Sequence, residues 1–305
     1  GTLPEGVASA RLHALEPHEL VTTALAAGLP AEGALTVVNR PASRSCWQRL
    51  WAPQAVEDAP QRFEFARPRF GGEGRDHLAD RYLLVDAATG AALGAPVWVT
   101  DTSAARERAI PRLYPTNKKG LGGVIYHPVL LREDAPKLGV TASTVNMKLD
   151  ELFAPGPERI AFTHQGREWS FSRDIVDRWD RTIRAWTELG VVVSGILLIA
   201  DGEHPLVHPS YDPAGIFSIA NLTTREGADA FRAAMAFVAE RYTRSEREHG
   251  WITHWIVFNE VDYGWIWTNM GDVLLPEYLE TYHRALRLVW LEASLFQNRP
   301  RSSSV

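Results

Sequence analysis

The sequence has a single cysteine, Cys46, among its 305 residues. One cysteine cannot form an intramolecular disulfide, and no Cys or His cluster with the spacing of a zinc site accompanies it. A disulfide-stapled scaffold is therefore excluded. We expect no metal ion and no other cofactor.

The sequence also lacks a surplus of basic residues, with 32 Lys and Arg against 37 Asp and Glu and a net charge of -5. Proteins that bind nucleic acids or anionic membranes usually concentrate positive charge to attract phosphates. The longest apolar run, residues 191–200, has about half the length that a membrane-spanning helix needs. We therefore expect neither nucleic acid nor a membrane as a partner.

No secretory leader is recognisable at the N-terminus, but the chain starts at Gly1 rather than at Met, so a leader could have been removed. We favour a secreted or periplasmic location over a cytoplasmic one. The content of 45% hydrophobic and 23% charged residues is that of a folded globular protein. The length predicts two domains. Eleven Trp and eight Tyr are numerous, and flat aromatic rings with a polar edge suit stacking on sugars, although most should be core.

Residues 1–112 are predicted to form a β-sandwich-like N-terminal domain. Short β-rich pieces alternate there with Gly, Pro, Asn and Asp. The turn at 86–90 is typical of an antiparallel hairpin. The predicted strands are 34–38, 63–66, 81–85 and 96–100.

Residues 113–305 change to alternating strands and helices, the pattern of a parallel sheet covered by helices. The predicted fold class is α/β, with half of a (β/α) TIM barrel following the β-sandwich-like domain. A hairpin at 159–171 interrupts the pattern, and Ser172 and Thr223 or Thr224 are predicted helix N-caps. The continuous apolar run at 191–200 predicts a strand covered on both faces. The predicted barrel strands are 120–126, 139–147, 191–200 and 253–258; the predicted helices are 130–138, 172–190, one from 223 or 224, and 276–296, before a frayed tail.

Side chains that could carry chemistry follow the predicted strands, where a parallel barrel builds its active site. Asn146 and Lys148 lie at the end of the second strand, and Asp201, His204 and His208 follow the third. The fourth strand ends at Asn259 and Glu260, before an aromatic loop with Tyr263, Trp265 and Trp267.

An apolar strand that ends in Asn-Glu after three strand-helix units resembles the large clan of retaining glycoside hydrolases. Residues 237–242, which lead into that strand, and the later segment 267–271 add to the resemblance, and together they are similar to an uncharacterised bacterial group in that clan. The resemblance implies that Glu260 is the general acid/base and that Asn259 hydrogen-bonds the sugar 2-hydroxyl. An apolar, aromatic-lined barrel mouth would favour the protonated carboxyl that an acid requires.

A retaining mechanism also needs a second carboxylate roughly 5 to 5.5 Å away. In the clan it follows the seventh strand, and only four barrel strands are predicted here, so we expect the usual nucleophile to be missing from this chain. A truncation, a binding protein derived from an enzyme, and a homodimer that closes the barrel through its open edges remain alternatives, and open edges favour the homodimer. The expected partner molecule is an oligosaccharide or polysaccharide.

Each candidate also has an ordinary structural interpretation. His204 and His208 are four residues apart, but the prolines beside them disfavour the helix that a metal site would need. They are as consistent with loop capping as with substrate binding. Trp265 and Trp267, two apart in an extended loop, should face opposite ways, and we expect one of them to contact sugar. Asn146 either faces the barrel mouth or caps a turn.

Overall fold

The computed structural model describes residues 6–18, 34–38, 62–66, 70, 75–94, 96–99, 113–200 and 202–296. Predictions that concern other residues, among them Asp201 and the tail after 296, lie outside this description.

A four-stranded parallel sheet forms the centre of the molecule. Its strands lie side by side in the order in which the chain makes them, which confirms the predicted alternation of strands and helices. The fold is therefore mixed α/β. The strands are β6 (Gly120–Gly122), β7 (Ala142–Lys148), β10 (Val192–Leu198) and β11 (His254–Val257).

The first and fourth strands end earlier than predicted. Gly123 has a φ of 66° and Phe258 a φ of 64°, and this left-handed backbone conformation cannot continue an extended strand. The strand predicted at 120–126 therefore stops at Gly122, and the one predicted at 253–258 stops at Val257.

Helices and a hairpin connect the sheet strands close to the predicted bounds. A π-helical stretch, Leu130–Asp134, continues into α1 (Ala135–Leu138). The hairpin pairs β8 (Arg159–His164) with β9 (Arg167–Ser172) through Gln165 and Gly166, both at positive φ. Of the two threonines predicted as alternative N-caps, Thr224 makes the capping hydrogen bond: its side-chain oxygen accepts from the Gly227 amide. The longer helices are α2 (Arg173–Glu188) and α3 (Arg225–Tyr242), and the last, α5 (Leu275–Phe296), follows α4 (Gly264–Trp267).

The two faces of the sheet differ in how they are covered. On β7, Val145 and Met147 are buried in the main core with residues of α2 and α3, while Asn146 between them is exposed. Ile256 of β11 lies on the same face as Asn146, because both are in register with Ile196, and it is also exposed. The strand predicted at 191–200 to be covered on both faces is buried on both faces only over residues 195–199. We call the side with Asn146 and Ile256 the open face.

The N-terminal part forms antiparallel sheets, as its alternating pattern predicts. One has the order β1 (Ala10–Leu15), β4 (Arg81–Asp86), β5 (Val97–Trp98), and the other pairs β2 (Ala34–Val38) with β3 (Arg62–Ala66). The turn after Asp86 carries Gly90 at a φ of 73°, and the strands on either side pair as predicted.

This N-terminal part packs on α5. Arg287 donates to the carbonyls of Leu78 and Val99, at 3.0 and 2.9 Å, and its guanidinium lies over the Trp98 ring. Leu78 belongs to the same core as the sheet. The boundary near residue 112 and the sandwich arrangement remain predictions, as does the completion of the sheet by a second copy.

Candidate functional site at the carboxyl end of the sheet

A strained turn follows β11 and positions the two residues that sequence analysis singles out. Phe258 and Glu260 have φ values of 64° and 42°, so Asn259 lies between two left-handed residues. Such conformations cost on the order of 1–3 kcal/mol each and occur often at functional sites. Phe258 is held because its ring is buried near Phe231 and Tyr282. The turn leaves Glu260 exposed and Asn259 half-buried.

The aromatic segment after Glu260 is a short helix, α4, rather than the predicted extended loop. A single 3-10 turn, Val261–Tyr263, joins Glu260 to this helix, and in it the amide of Tyr263 donates to the Glu260 carbonyl at 2.7 Å. Residues two apart on a helix lie about 200° apart around its axis, so the two tryptophans still face different ways. Trp265 is 62% exposed and meets Tyr263 edge to face at 4.4 Å. Trp267 instead stacks on Phe217, with ring centroids 5.3 Å apart.

The stack of Trp267 and Phe217 covers the open face at the carboxyl end of the sheet, where it packs on Ile196, Leu198 and Ala200. Phe217 belongs to the long connection after β10, and sequence analysis does not identify it. No local signal could have done so, because its partner is fifty residues away along the chain. The apolar cover of the sheet is thus made by two loops together.

Asn269 holds these two loops together. Its buried side chain donates to the Trp265 carbonyl at 2.7 Å and accepts from the amides of Asp212 and Gly271, at 2.8 and 2.9 Å. Its backbone pairs with Phe217. Asn269 lies in the segment that carries the family resemblance, and its bonds give it a structural role, because they fix the position of α4.

We expect Gly271→Ala to disrupt this junction. Gly271 has a φ of +74°, and a Cβ there would lie 2.3 Å from the Ser210 carbonyl oxygen. Gly190 is a matched control, since its φ is +71° and no atom lies within 4 Å of its Cβ position. Gly190→Ala should cost about 1–2 kcal/mol for the left-handed backbone alone, and Gly271→Ala about 1–3 kcal/mol more for the overlap. Urea unfolding of both variants measures the difference; equal losses would show that Ser210 moves away freely.

Asn146 lies on the open face, not at the tip of its strand. It is exposed, and Gly123 approaches its side chain, since a Cβ there would be 3.9 Å from the Asn146 Nδ2. Asn146 is in register with Ile196, one of the residues on which the stack of Trp267 and Phe217 packs. It therefore shares a face of the sheet with the cover, and its role in binding remains a prediction.

The two histidines have different surroundings. His204 packs against Phe153 with ring centroids 4.5 Å apart, and its Nδ1 accepts from the Leu206 amide at 3.1 Å. Burial lowers the pKa of His204. Neither residue lies in a helix, in agreement with the effect predicted for the prolines.

His208 is buried, and its Nδ1 accepts from the Ser210 amide at 3.2 Å. Burial, with a contribution from the charge of Arg284, lowers the pKa of His208 to about 4, so the ring is neutral at neutral pH. Both histidines bond backbone amides two residues on, which is a loop-capping arrangement. Substrate could reach His208 only after the loop moved. Within the described part of the chain, no three His, Cys, Asp or Glu side chains cluster as a metal site.

Asp150 is a further carboxyl group at this end of the sheet that sequence analysis does not identify. It lies two residues beyond β7, and its Oδ1 accepts from the Ala200 amide, just past β10, at 2.8 Å. Burial raises its pKa, although the hydrogen bond from Ala200 opposes the shift. The rule that places active-site residues after barrel strands would have found it, since it follows Lys148 by two positions.

The fold and this carboxyl-end site describe a mixed α/β protein with a parallel sheet and a polar and aromatic rim. Residues 112–300 match a protein family described as "Family of unknown function (DUF5722)". The match covers more than half of the chain, so the protein belongs to this family. Neither a curated protein nor a solved structure matches the sequence. None of the described helices is long and apolar enough to span a membrane.

Proposed function

We propose that this protein is a glycoside hydrolase-like protein that binds an oligosaccharide or polysaccharide at the carboxyl end of its parallel sheet. Glu260 is its general acid/base, and Asn259 orients the substrate. The observation that carries the proposal is the placement of Glu260 on a strained turn, which one 3-10 turn joins to the helix of the exposed Trp265.

The proposal extends to the fold. We propose that the sheet corresponds to the first four strands of a (β/α) barrel. In support, the strands follow chain order and α2 and α3 pack on one face only. The open face, with Asn146 and Ile256, then corresponds to the barrel interior. Parallel sheets are normally covered on both sides, so an uncovered face is itself unusual.

Trp265 and Tyr263 supply the surface for the sugar. Trp265 is 62% exposed and Tyr263 44%, and their contact at 4.4 Å keeps both rings in place. A rigid aromatic ring that remains exposed presents a flat apolar face with little further loss of side-chain entropy. Sugar rings carry C–H groups on one face that fit such a surface.

The first test is to incubate the protein with a panel of aryl glycosides and of plant and microbial polysaccharides, and to measure released phenol or new reducing ends. Turnover of any member supports the proposal. If no member is hydrolysed and none is bound in calorimetry, the proposal fails both for catalysis by Glu260 and for glycan binding.

Trp265→Ala should weaken glycan binding about tenfold, because an aromatic contact contributes about 0.5–1.5 kcal/mol beyond its buried area. Trp290→Ala is the matched control, since Trp290 is also partly exposed, at 40%, but lies on α5. Calorimetric titration of both variants with the glycan selected by the panel measures the effect. Equal affinities for wild type and Trp265→Ala would remove Trp265 from the site.

A second function, glycan binding without catalysis, is favoured by one observation. Glu260 is exposed to solvent and is not enclosed by the apolar, aromatic side chains expected around a catalytic acid. Binding of an oligosaccharide that is recovered unchanged after long incubation would select this function.

A further inference from the structure

Two tyrosines of α5 lie beside the turn that carries Glu260. Tyr278 and Tyr282 are four residues apart, so they project from the same side of the helix, one helical turn after the other. Both rings are half-buried and pack against the main core. Their phenol hydroxyl groups reach the backbone of the connection between β11 and α5.

The two hydroxyl groups hold carbonyls on either side of the strained turn, residues 258–260. Tyr278 Oη donates to the carbonyl of Val261, which directly follows the turn, at 2.7 Å. Tyr282 Oη donates to the carbonyl of Val257, the last residue of β11, at a longer 3.4 Å. Because the bond from Tyr278 is much the shorter, Tyr278 is the stronger of the two anchors.

Tyr278 also holds the far end of the aromatic segment. The buried hydroxyl of Thr268, just after α4, donates to the same phenol oxygen. The first residue of α4, Gly264, lies against the Tyr278 ring, since a Cβ there would be 3.1 Å from Oη and 3.2 Å from Cζ. One phenol group thus contacts the segment 261–268 at its start, at the beginning of α4 and at its end.

The backbone of this segment determines where the candidate site residues lie. Glu260 is exposed, so the turn rather than side-chain packing sets the position of its carboxyl group. Left-handed residues persist only when the surrounding structure holds them. Trp265, on α4, is positioned by the same segment. A group that fixes 261–268 therefore controls the acid and the aromatic ring together.

We propose that Tyr278 is a positioning residue of the glycan site, whose hydroxyl holds the Glu260 turn and the Trp265 helix in one fixed arrangement. The inference rests on the proposed function. Tyr282 supports the turn from the side of the strand. Burial raises the pKa of Tyr278, although the hydrogen bond from Thr268 opposes the shift, so the phenol keeps its proton at neutral pH and remains a donor.

Tyr278→Phe tests the proposal, because it keeps the ring beside Gly264 and removes only the hydroxyl. With a substrate identified by the glycoside panel, kcat for poor leaving groups should fall by about 10–10²-fold, since a small displacement of a reacting group costs rate steeply. The defect should shrink for aryl glycosides with acidic phenols, which need less help from Glu260. Calorimetric Kd should rise by only about threefold, as expected for a displaced aromatic contact.

Tyr242→Phe is the matched control. Tyr242 lies on α3, and its buried hydroxyl donates to Asp180 at 2.8 Å. Both variants lose a phenol hydrogen bond, so both should unfold at lower urea concentration. Only Tyr278→Phe should change kcat, and only Tyr278→Phe should speed the hydrogen exchange of the amides in 261–268.

A double variant separates positioning from general loosening of the fold. If Tyr278 acts through the acid, adding Tyr278→Phe to Glu260→Gln should not lower kcat further. An additive loss, an unchanged kcat in Tyr278→Phe, or a loss no larger than that in Tyr242→Phe would overturn the role of Tyr278 and leave the proposed function standing. If the wild type binds glycan without turnover, Kd decides: equal affinities for wild type and Tyr278→Phe would overturn it. A wild type that neither hydrolyses nor binds any glycan would overturn the proposed function and this role with it.

Discussion

Glu260→Gln is expected to lower kcat for glycosides with poor leaving groups by about 10²–10⁴-fold, because glutamine cannot give a proton to the departing oxygen. The substitution keeps the size of the side chain and its place on the left-handed turn. Binding should therefore survive, and Kd from calorimetry should change far less than kcat. Initial rates on alkyl and aryl glycosides measure the effect.

Glu188→Gln is the control for this variant. Glu188 is exposed at the end of α2. Because α2 returns the chain to the start of β10, it ends at the amino end of the sheet, and Glu260 lies at the carboxyl end. Its loss should leave kcat and Kd unchanged. If both variants hydrolysed every substrate at the wild-type rate, Glu260 would not be the acid.

The parts of the fold that sequence analysis predicts are those with a local cause. Apolar runs ending at polar residues give β7, β10 and β11, and the cap at Thr224 marks the start of α3. The end of β11 is different, because Phe258 takes a left-handed conformation that a bulky residue rarely adopts. It is held by rings from α3 and α5, which are distant in sequence.

The candidate site likewise combines features that have a local cause with features that depend on residues distant in sequence. Asn259, Glu260 and Trp265 are close in space because they are close in sequence. The pairing of Trp267 with Phe217 and the bond between Asp150 and Ala200 join separate connections, so no spacing in the sequence predicts them. The prolines beside His204 and His208 predict that the two residues do not lie on a helix, but the bond that orients each ring within its own loop has no signal in the sequence.

Glu292→Gln should produce the largest loss of stability, about 3–5 kcal/mol, since breaking one partner of a buried ion pair leaves an uncompensated charge. Glu292 lies on α5 and is 1% exposed. Its two oxygens meet Arg232 Nε at 2.8 Å and His164 Nε2 at 3.2 Å, and Arg232 also donates to Gln165 at 3.1 Å. One carboxylate thus joins α5, α3 and the β8–β9 hairpin.

A surface ion pair provides the comparison. Glu133 and Lys137 are 3.6 Å apart, with side chains 60% and 70% exposed. Glu133→Gln should change the free energy of unfolding by about 0–1 kcal/mol. The urea midpoint, at an unchanged dependence on denaturant, measures both variants. A loss below about 1 kcal/mol in Glu292→Gln would mean that the charge of Arg232 is compensated in the variant, either by water or by a polar group that a shift of α5 brings close.

The loss of stability in Glu292→Gln should also depend on pH. Burial alone would raise the pKa of Glu292, but the charges of Arg232 and His164 and their hydrogen bonds outweigh it, so the pKa is lowered. A lowered folded-state pKa gives stability that is present above the unfolded value, about 4.3, and is lost as the pH falls through the folded value. Protonated Glu292 resembles glutamine, so the gap between wild type and Glu292→Gln should narrow below about pH 4.

The double variant Arg232→Met with Glu292→Leu separates charge from packing. Removing both charges also removes the cost of burying them, and replacement of buried ion pairs by apolar side chains is often neutral or stabilising. We expect the double variant to recover most of the stability that Glu292→Gln loses. Failure to recover would assign the loss to the hydrogen bonds that Glu292 makes with His164 and Arg232 with Gln165, which apolar side chains cannot replace.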